Sequence, residues 1–244
     1  MVWGFWIFGT LITGFALVYL FRPETQVLSL YGFIALNSGL VLASVSLTRA
    51  WRDSREQWQR PIWLGLAVGL WFWLAAGVME IIQYFIDKPS YGSYAAFFWV
   101  TGYLPMFAGL FPQFRTSPQA GRKRTTILLL LFLAAGYIAV FHSYLWPQLA
   151  DPSRELSSKV VDVLYSSFNF LLLGMILDIY RNTPHADSTF RMAFRELTAA
   201  MIIMIAADIG LSYFTDPESV MYQLLDIPYF LIYFLFFLAG LNRP

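Results

Sequence analysis

MIIMIAADIGLSYFTD, Met201 to Asp216, is an apolar run with a carboxylate, Asp208, set inside it. A helix that crosses a hydrocarbon core needs about 20 predominantly apolar residues, and this run lies in a window of that length. A carboxylate placed there costs several kcal/mol unless it faces a bundle interior, meets water or takes a proton. Asp208 therefore raises the question of what surrounds it.

Working outward, similar windows recur along the chain. Of its 244 residues 58% are hydrophobic and 19% aromatic, and only 13% are charged, whereas a soluble domain carries about 25% charged residues. The chain reads as an all-α, polytopic integral membrane protein in the lipid bilayer. Eight spans are expected at roughly 2–21, 27–48, 62–86, 91–112, 125–146, 158–180, 194–214 and 220–241. Between them lie short links such as DKPS (Asp87–Ser90) and TDPES (Thr215–Ser219), whose Pro, Asp and Ser are turn formers. No link is long enough for a soluble domain, so residues 1–244 are expected to form one transmembrane domain. Met1–Leu20 lacks a basic n-region and a small-residue cleavage site and reads as a retained first span.

Orientation follows from the basic residues. Links 2–3, 4–5 and 6–7 with the C-terminal end hold twelve Lys and Arg, among them Arg49, Arg52, Arg60, Arg122, Lys123, Arg124, Arg191 and Arg195; the other side holds four, Arg22, Lys88, Arg154 and Lys159. Both termini are thereby placed in the cytoplasm. The halves also look related. Glu80–Leu110 runs from an acid through a tyrosine, a short loop and an aromatic span to AGL, and Asp208–Leu241 does the same. Arg49 and Arg181 close corresponding spans 132 residues apart. Two parallel four-helix repeats, 1–121 and 122–244, are the expectation.

Polar residues then fall into stripes. Glu80, Gln83, Tyr84 and Asp87 stand at i, i+3, i+4 and i+7; Asp162, Tyr165, Ser166 and Asn169 repeat that spacing; Asp208 is followed by Ser212 and Thr215; Tyr222, Asp226, Tyr229 and Tyr233 follow suit. Each set shares one helix face, and all lie in the outer half of the expected bundle. The economical arrangement turns them inward around one outward-facing cavity, with Glu80, Asp208 and Asp226 as its strongest members and Tyr84, Tyr233, Asp162, Asn169 and His142 as candidates. The bland alternative is interhelical hydrogen bonding worth about 1 kcal/mol or less per bond. Asp162 lies near the interface, where solvation alone would satisfy it. His142, followed by Ser143, Tyr144 and Trp146, fits either an interfacial belt or the cavity, as a proton-sensitive partner of a carboxylate. A metal site of His142 with acids is a weaker alternative, and no metal is assigned. Asp178, one turn from Arg181, reads as a surface pair.

Other chemistries are poorly served. The chain has no Cys, only two His, and no HExxH, GxSxG or P-loop, so thiolate sites, three-histidine zinc and the common hydrolase motifs are excluded. With no such motif no catalytic residue or cofactor is expected, and the net charge of +1 gives no reason to expect a nucleic-acid partner. Gly65 and Gly69 form a GxxxG that permits close helix contact or a homodimer.

SYGSYAAFFWVTGYLPMFAGL, Ser90–Leu110, resembles the multi-pass sensor regions that precede diguanylate cyclase or histidine kinase domains in bacterial signalling proteins. Those regions carry an acid near the outer end of one span, then Ser-x-x-Asp, then a Tyr beside a Pro. Glu80, Ser93, Tyr103 and Pro105 match; Ala96 stands where the Asp would be, the proline is displaced by one position, and Tyr233 has no adjoining proline. The resemblance implies a bacterial or archaeal cytoplasmic membrane and a signal passed to a cytoplasmic output domain. The sequence ends at Pro244, just past the last span, so either output lies in a longer form of the chain or on a separate membrane or cytoplasmic partner, or the resemblance is one of architecture alone. A receptor-like domain binding a small cation, an amine or a proton is the leading expectation. An accessory subunit of a larger membrane complex and a small transporter are the alternatives.

Overall fold

The computed structural model describes residues 2–21, 25–86, 94–115, 120–183, 187–213, 224 and 226–242. Asp87, Ser93, His185, Thr215 and Tyr222 lie outside the described residues, as do the side chains of Ser212 and Arg122–Arg124. The described chain is helical: α1 (Val2–Phe21), α2 (Thr25–Asp53), α3 (Arg60–Phe85), α4 (Tyr94–Arg115), α5 (Ala120–Val140), a short α6 (Trp146–Ala150), α7 (Leu156–Asn182), α8 (Ser188–Tyr213) and α9 (Asp226–Leu241). Several helices overrun the apolar windows at their basic ends. Hydropathy marks only the stretch suited to hydrocarbon, while the backbone ladder continues through Arg49, Arg52 and Arg195 because straight-chain residues are good helix formers.

Among the described residues, five stretches are long and apolar enough to cross a membrane: Leu30–Asp53, Arg60–Phe85, Tyr94–Phe114, Thr126–Ala150 and Leu156–Asn182. Trp3–Phe15 and Asp226–Leu241 are apolar but shorter.

Packing follows a closed circuit. α2 packs on α3, α3 on α4, α4 on α7, α7 on α8, α8 on α9, and α9 returns to α2. α1 lies outside this ring against α2, and α5 lies outside it against α7. The tightest seam joins α3 to α4, where glycines face each other. A methyl on Gly65 would come within 2.8 Å of Gly109 Cα and would also meet the Pro105 carbonyl oxygen; one on Gly69 would lie 2.6 Å from the Gly102 carbonyl oxygen. The GxxxG of α3 is thus occupied within the chain, and a homodimer would need another surface.

The α2–α9 seam runs parallel in steps of seven. Gly32 faces Asp226, Gly39 faces Tyr233, and Gly240 faces Ser46, whose hydroxyl donates to the Phe237 carbonyl at 2.9 Å. Inside the ring, aromatic rings fill the basic end: Trp63 and Trp58 meet Phe190 edge-on, and Phe190 lies 4.5 Å from Phe194. Further along, Trp73 packs on Tyr103 and Phe236, at 5.2 and 6.3 Å between centroids.

α5 turns most of its surface outward. Leu128, Leu131, Phe132 and Ile138 are exposed, Phe132 by 76%. α5 is held to α7 by Leu133 against Gly174, by Tyr137 with Ser167 at 2.8 Å, and by Thr126 Oγ1, which donates to Asp178 Oδ1 at 2.6 Å. Asp178 is therefore buried, 3% exposed, in a helix contact and not at the surface. Its place in the α7 sequence showed the acid but not the donor arriving from α5. Thr126→Val is expected to lower stability by about 1 kcal/mol, measured as the unfolding midpoint in detergent, with Thr126→Ser unchanged. Beyond Val140 the helix widens into a π-turn, Phe141–Leu145, where the Trp146 N–H bonds the Phe141 carbonyl five residues back. Pro147 explains the widening, since it has no N–H to give to the preceding turn.

Candidate functional site

Above the Trp73–Tyr103–Phe236 layer the ring interior becomes polar. Asp208, on α8, accepts from two directions: Tyr229 of α9 donates its hydroxyl to Oδ1 at 2.5 Å, and Asn169 of α7 donates Nδ2–H to Oδ2 at 2.5 Å. Asn169 is fully buried, and its Oδ1 accepts the Tyr103 hydroxyl from α4 at 2.6 Å. One hydrogen-bonded chain thereby ties α9, α8, α7 and α4. The stripe logic placed Asn169 and Asp208 on inward faces, and both are there.

Glu80 anchors a second arm. Its Oε1 accepts the Trp99 indole N–H at 2.8 Å. Trp99 is held in turn by Trp73, whose indole donates to the Trp99 carbonyl at 3.0 Å. Tyr233 of α9 is buried, 3% exposed, and packs on Gly39 of α2. Asp226 opens α9 and packs against Gly32, where a methyl would lie 2.8 Å from its Oδ2 and would push the carboxylate aside. Neither Glu80 nor Asp226 forms an ion pair among the described residues. Asp162 does, with Arg154 Nη2 at 2.8 Å, and it lies within electrostatic reach of Asp208. It is a paired acid at the rim and not a merely solvated one.

Two candidates stay apart. Tyr84 is 39% exposed and packs on Phe33 of α2 at 5.7 Å. His142 is exposed on the π-turn of α5, the outer helix that reaches the ring through α7.

Three partners were absent from the candidate set. Tyr229 belongs to the Tyr222–Tyr233 stripe, of which only Asp226 and Tyr233 are candidates. Tyr103 entered through the family resemblance alone, and nothing in the α4 sequence says that its hydroxyl meets an amide 66 residues away. Trp99 carries no pattern of its own, because an indole donor in an aromatic span looks like packing. Among the described residues no three His, Asp or Glu side chains gather to hold a metal. The arrangement is one of carboxylates spaced by phenol, amide and indole donors, which can pass or retain a proton or accept a cation in place of one.

Comparison with known proteins matched no family, no curated protein and no solved structure.

Proposed function

We propose that this chain is a receptor-like sensory domain of eight membrane-crossing helices, with both termini cytoplasmic and its polar cluster open to the outer side. The observation that carries the reading is the hydrogen-bonded chain inside the ring, in which Tyr229 and Asn169 donate to Asp208 and Tyr103 to Asn169, with Glu80 held by Trp99 beside it. Acids held this way inside an apolar helical ring are expensive, and in membrane proteins such groups mark ligand or proton sites. A bilayer around the ring is supported by the outward apolar face of α5, which water would not tolerate.

Duplication is supported by the packing circuit. Exchanging α1, α2, α3 and α4 for α5, α7, α8 and α9 maps every seam of the circuit onto another seam. The side chains follow: Asn37 and Asn169 are 132 residues apart, Glu80 and Asp208 128, Trp99 and Tyr229 130, Tyr103 and Tyr233 130. On this reading Glu80 with Trp99 and Asp208 with Tyr229 are counterpart acid–donor pairs.

Proton or cation entry would change what Asp208 accepts from Tyr229 and Asn169, and so the seating of α9 against α8. That helix runs to the basic end, where Asn242 holds Glu196 of α8 at 2.7 Å, the end from which a signal would leave toward an output domain or partner. Trp99 supplies the readout. Purified protein in lipid nanodiscs is expected to change tryptophan emission as pH is lowered or as a small amine is added. Glu80→Gln with Asp208→Asn should flatten both responses, and a double variant that responds like the parent would end this assignment. An accessory-subunit role is favoured only by the bare α5 face. It predicts that α5 cross-links to another membrane protein in native membranes, through a photoreactive residue at Phe132.

A further inference from the structure

At the basic end, away from the acid cluster, α7 and α8 border an open groove of about 400 Å³ lined by Tyr180, Ser188, Arg191, Met192 and Arg195. Arg191 and Arg195 stand one helical turn apart on α8, and both are exposed. The Arg191 guanidinium lies over the Tyr180 ring, 5.6 Å from its centroid, an arrangement that orients the planar group. Neither guanidinium forms an ion pair among the described residues. Glu196, the carboxylate in electrostatic reach of Arg195, already accepts from Asn242 at 2.7 Å.

The start of α8 is itself occupied. Asp187 accepts from Thr189 Oγ1 at 2.9 Å, from Ser188 Oγ at 3.2 Å and from the Thr189 amide at 3.5 Å. The Thr189 hydroxyl and amide, with Ser188, hold its carboxyl below the usual Asp range, so it stays charged and keeps the free amides of the first turn for itself. An anion in this groove would be held by the two side-chain forks and not by the helix end.

We infer that the groove between the end of α7 and the start of α8 binds a phosphate group, clasped by Arg191 and Arg195. Paired guanidiniums match the planar, bidentate recognition that phosphate oxygens offer. A phospholipid headgroup and a free phosphate compound share this chemistry. The headgroup is the expected source, because Met192 lines the groove beside the arginines and Ile202 continues the exposed apolar side of α8 beyond it.

The test is native mass spectrometry of the purified chain in detergent, titrated separately with phosphatidylglycerol, phosphatidylcholine and inorganic pyrophosphate. Retention of phosphatidylglycerol over phosphatidylcholine is expected, falling at least about tenfold in Arg191→Gln/Arg195→Gln, since each lost charge-assisted bond is large on this scale. Arg52→Gln/Arg55→Gln, also exposed, should bind like the parent, and Arg191→Lys/Arg195→Lys should fall between. Pyrophosphate binding that needs the same two arginines, with no lipid retained, would keep the site and assign it to a free phosphate. Equal lipid and pyrophosphate binding by the Arg191/Arg195 and Arg52/Arg55 variants would overturn the inference. Equal unfolding midpoints for the two double variants confirm that both are folded.

Discussion

Asn169→Leu is expected to lower the unfolding midpoint more than any other single change in the polar cluster. Leucine fills nearly the same volume, so little packing is lost. What is lost is the bridge: Asp208 Oδ2 gives up a donor at 2.5 Å and the Tyr103 hydroxyl gives up an acceptor at 2.6 Å. Asn169 is fully buried, so water has no route to replace it. Two lost bonds at about 1–3 kcal/mol each set an upper range of roughly 2–6 kcal/mol. A membrane lowers that figure, because unfolded helices also find partners there. Asn169→Asp separates the bond from the shape: it can still accept from Tyr103, but when charged it opposes Asp208. Its stability should therefore recover as pH falls and one of the two acids takes a proton. Thermal unfolding in detergent across pH reads both variants. A leucine variant within about 0.5 kcal/mol of the parent, the range of an ordinary surface change, would mean that the bridge does not hold the helices.

Gly65→Leu is expected to part α3 from α4. Even a methyl at Gly65 meets the Pro105 carbonyl and lies 2.8 Å from Gly109 Cα, and these are backbone atoms that cannot rotate away. Overpacking of this kind costs about 1–3 kcal/mol and sometimes more. A second consequence is spectroscopic. Trp73 holds the Trp99 carbonyl and Trp99 holds Glu80 across the same seam, so separation should shift tryptophan emission to the red. Gly9→Leu is the control, since nothing lies within 4 Å of a methyl there. Equal stability of the two variants would refute the close approach.

Helix positions were legible because apolar length and polar links are local signals. The helices run past the expected spans at their basic ends by up to six residues, as at Ser188 against 194, since hydropathy says nothing of a ladder that continues past the apolar stretch. The inward faces of Asn169, Asp208 and Tyr233 were legible from spacing alone. Partner choice was not. Asp178 pairs with Thr126, 52 residues away, and Glu80 with Trp99 on the next helix; such matches depend on which helices become neighbours. His142 shows the converse. Its depth along α5 was suggestive, but α5 lies outside the ring, and no helical spacing carries that fact.

The seam between α2 and α9 has a consequence for biosynthesis. The chain is made from its N-terminal end, so the groove of Gly32, Gly39 and Ser46 waits through the making of the intervening helices for Asp226, Tyr233 and Gly240. Tyr229 arrives on the same helix, and until then Asp208 lacks the phenol that donates to it. Ring closure and completion of the acid cluster are thus a single late event in the life of the nascent chain. A ribosome stalled before α9 would hold an open circuit and an unfinished site together, so assembly of one reports on the other.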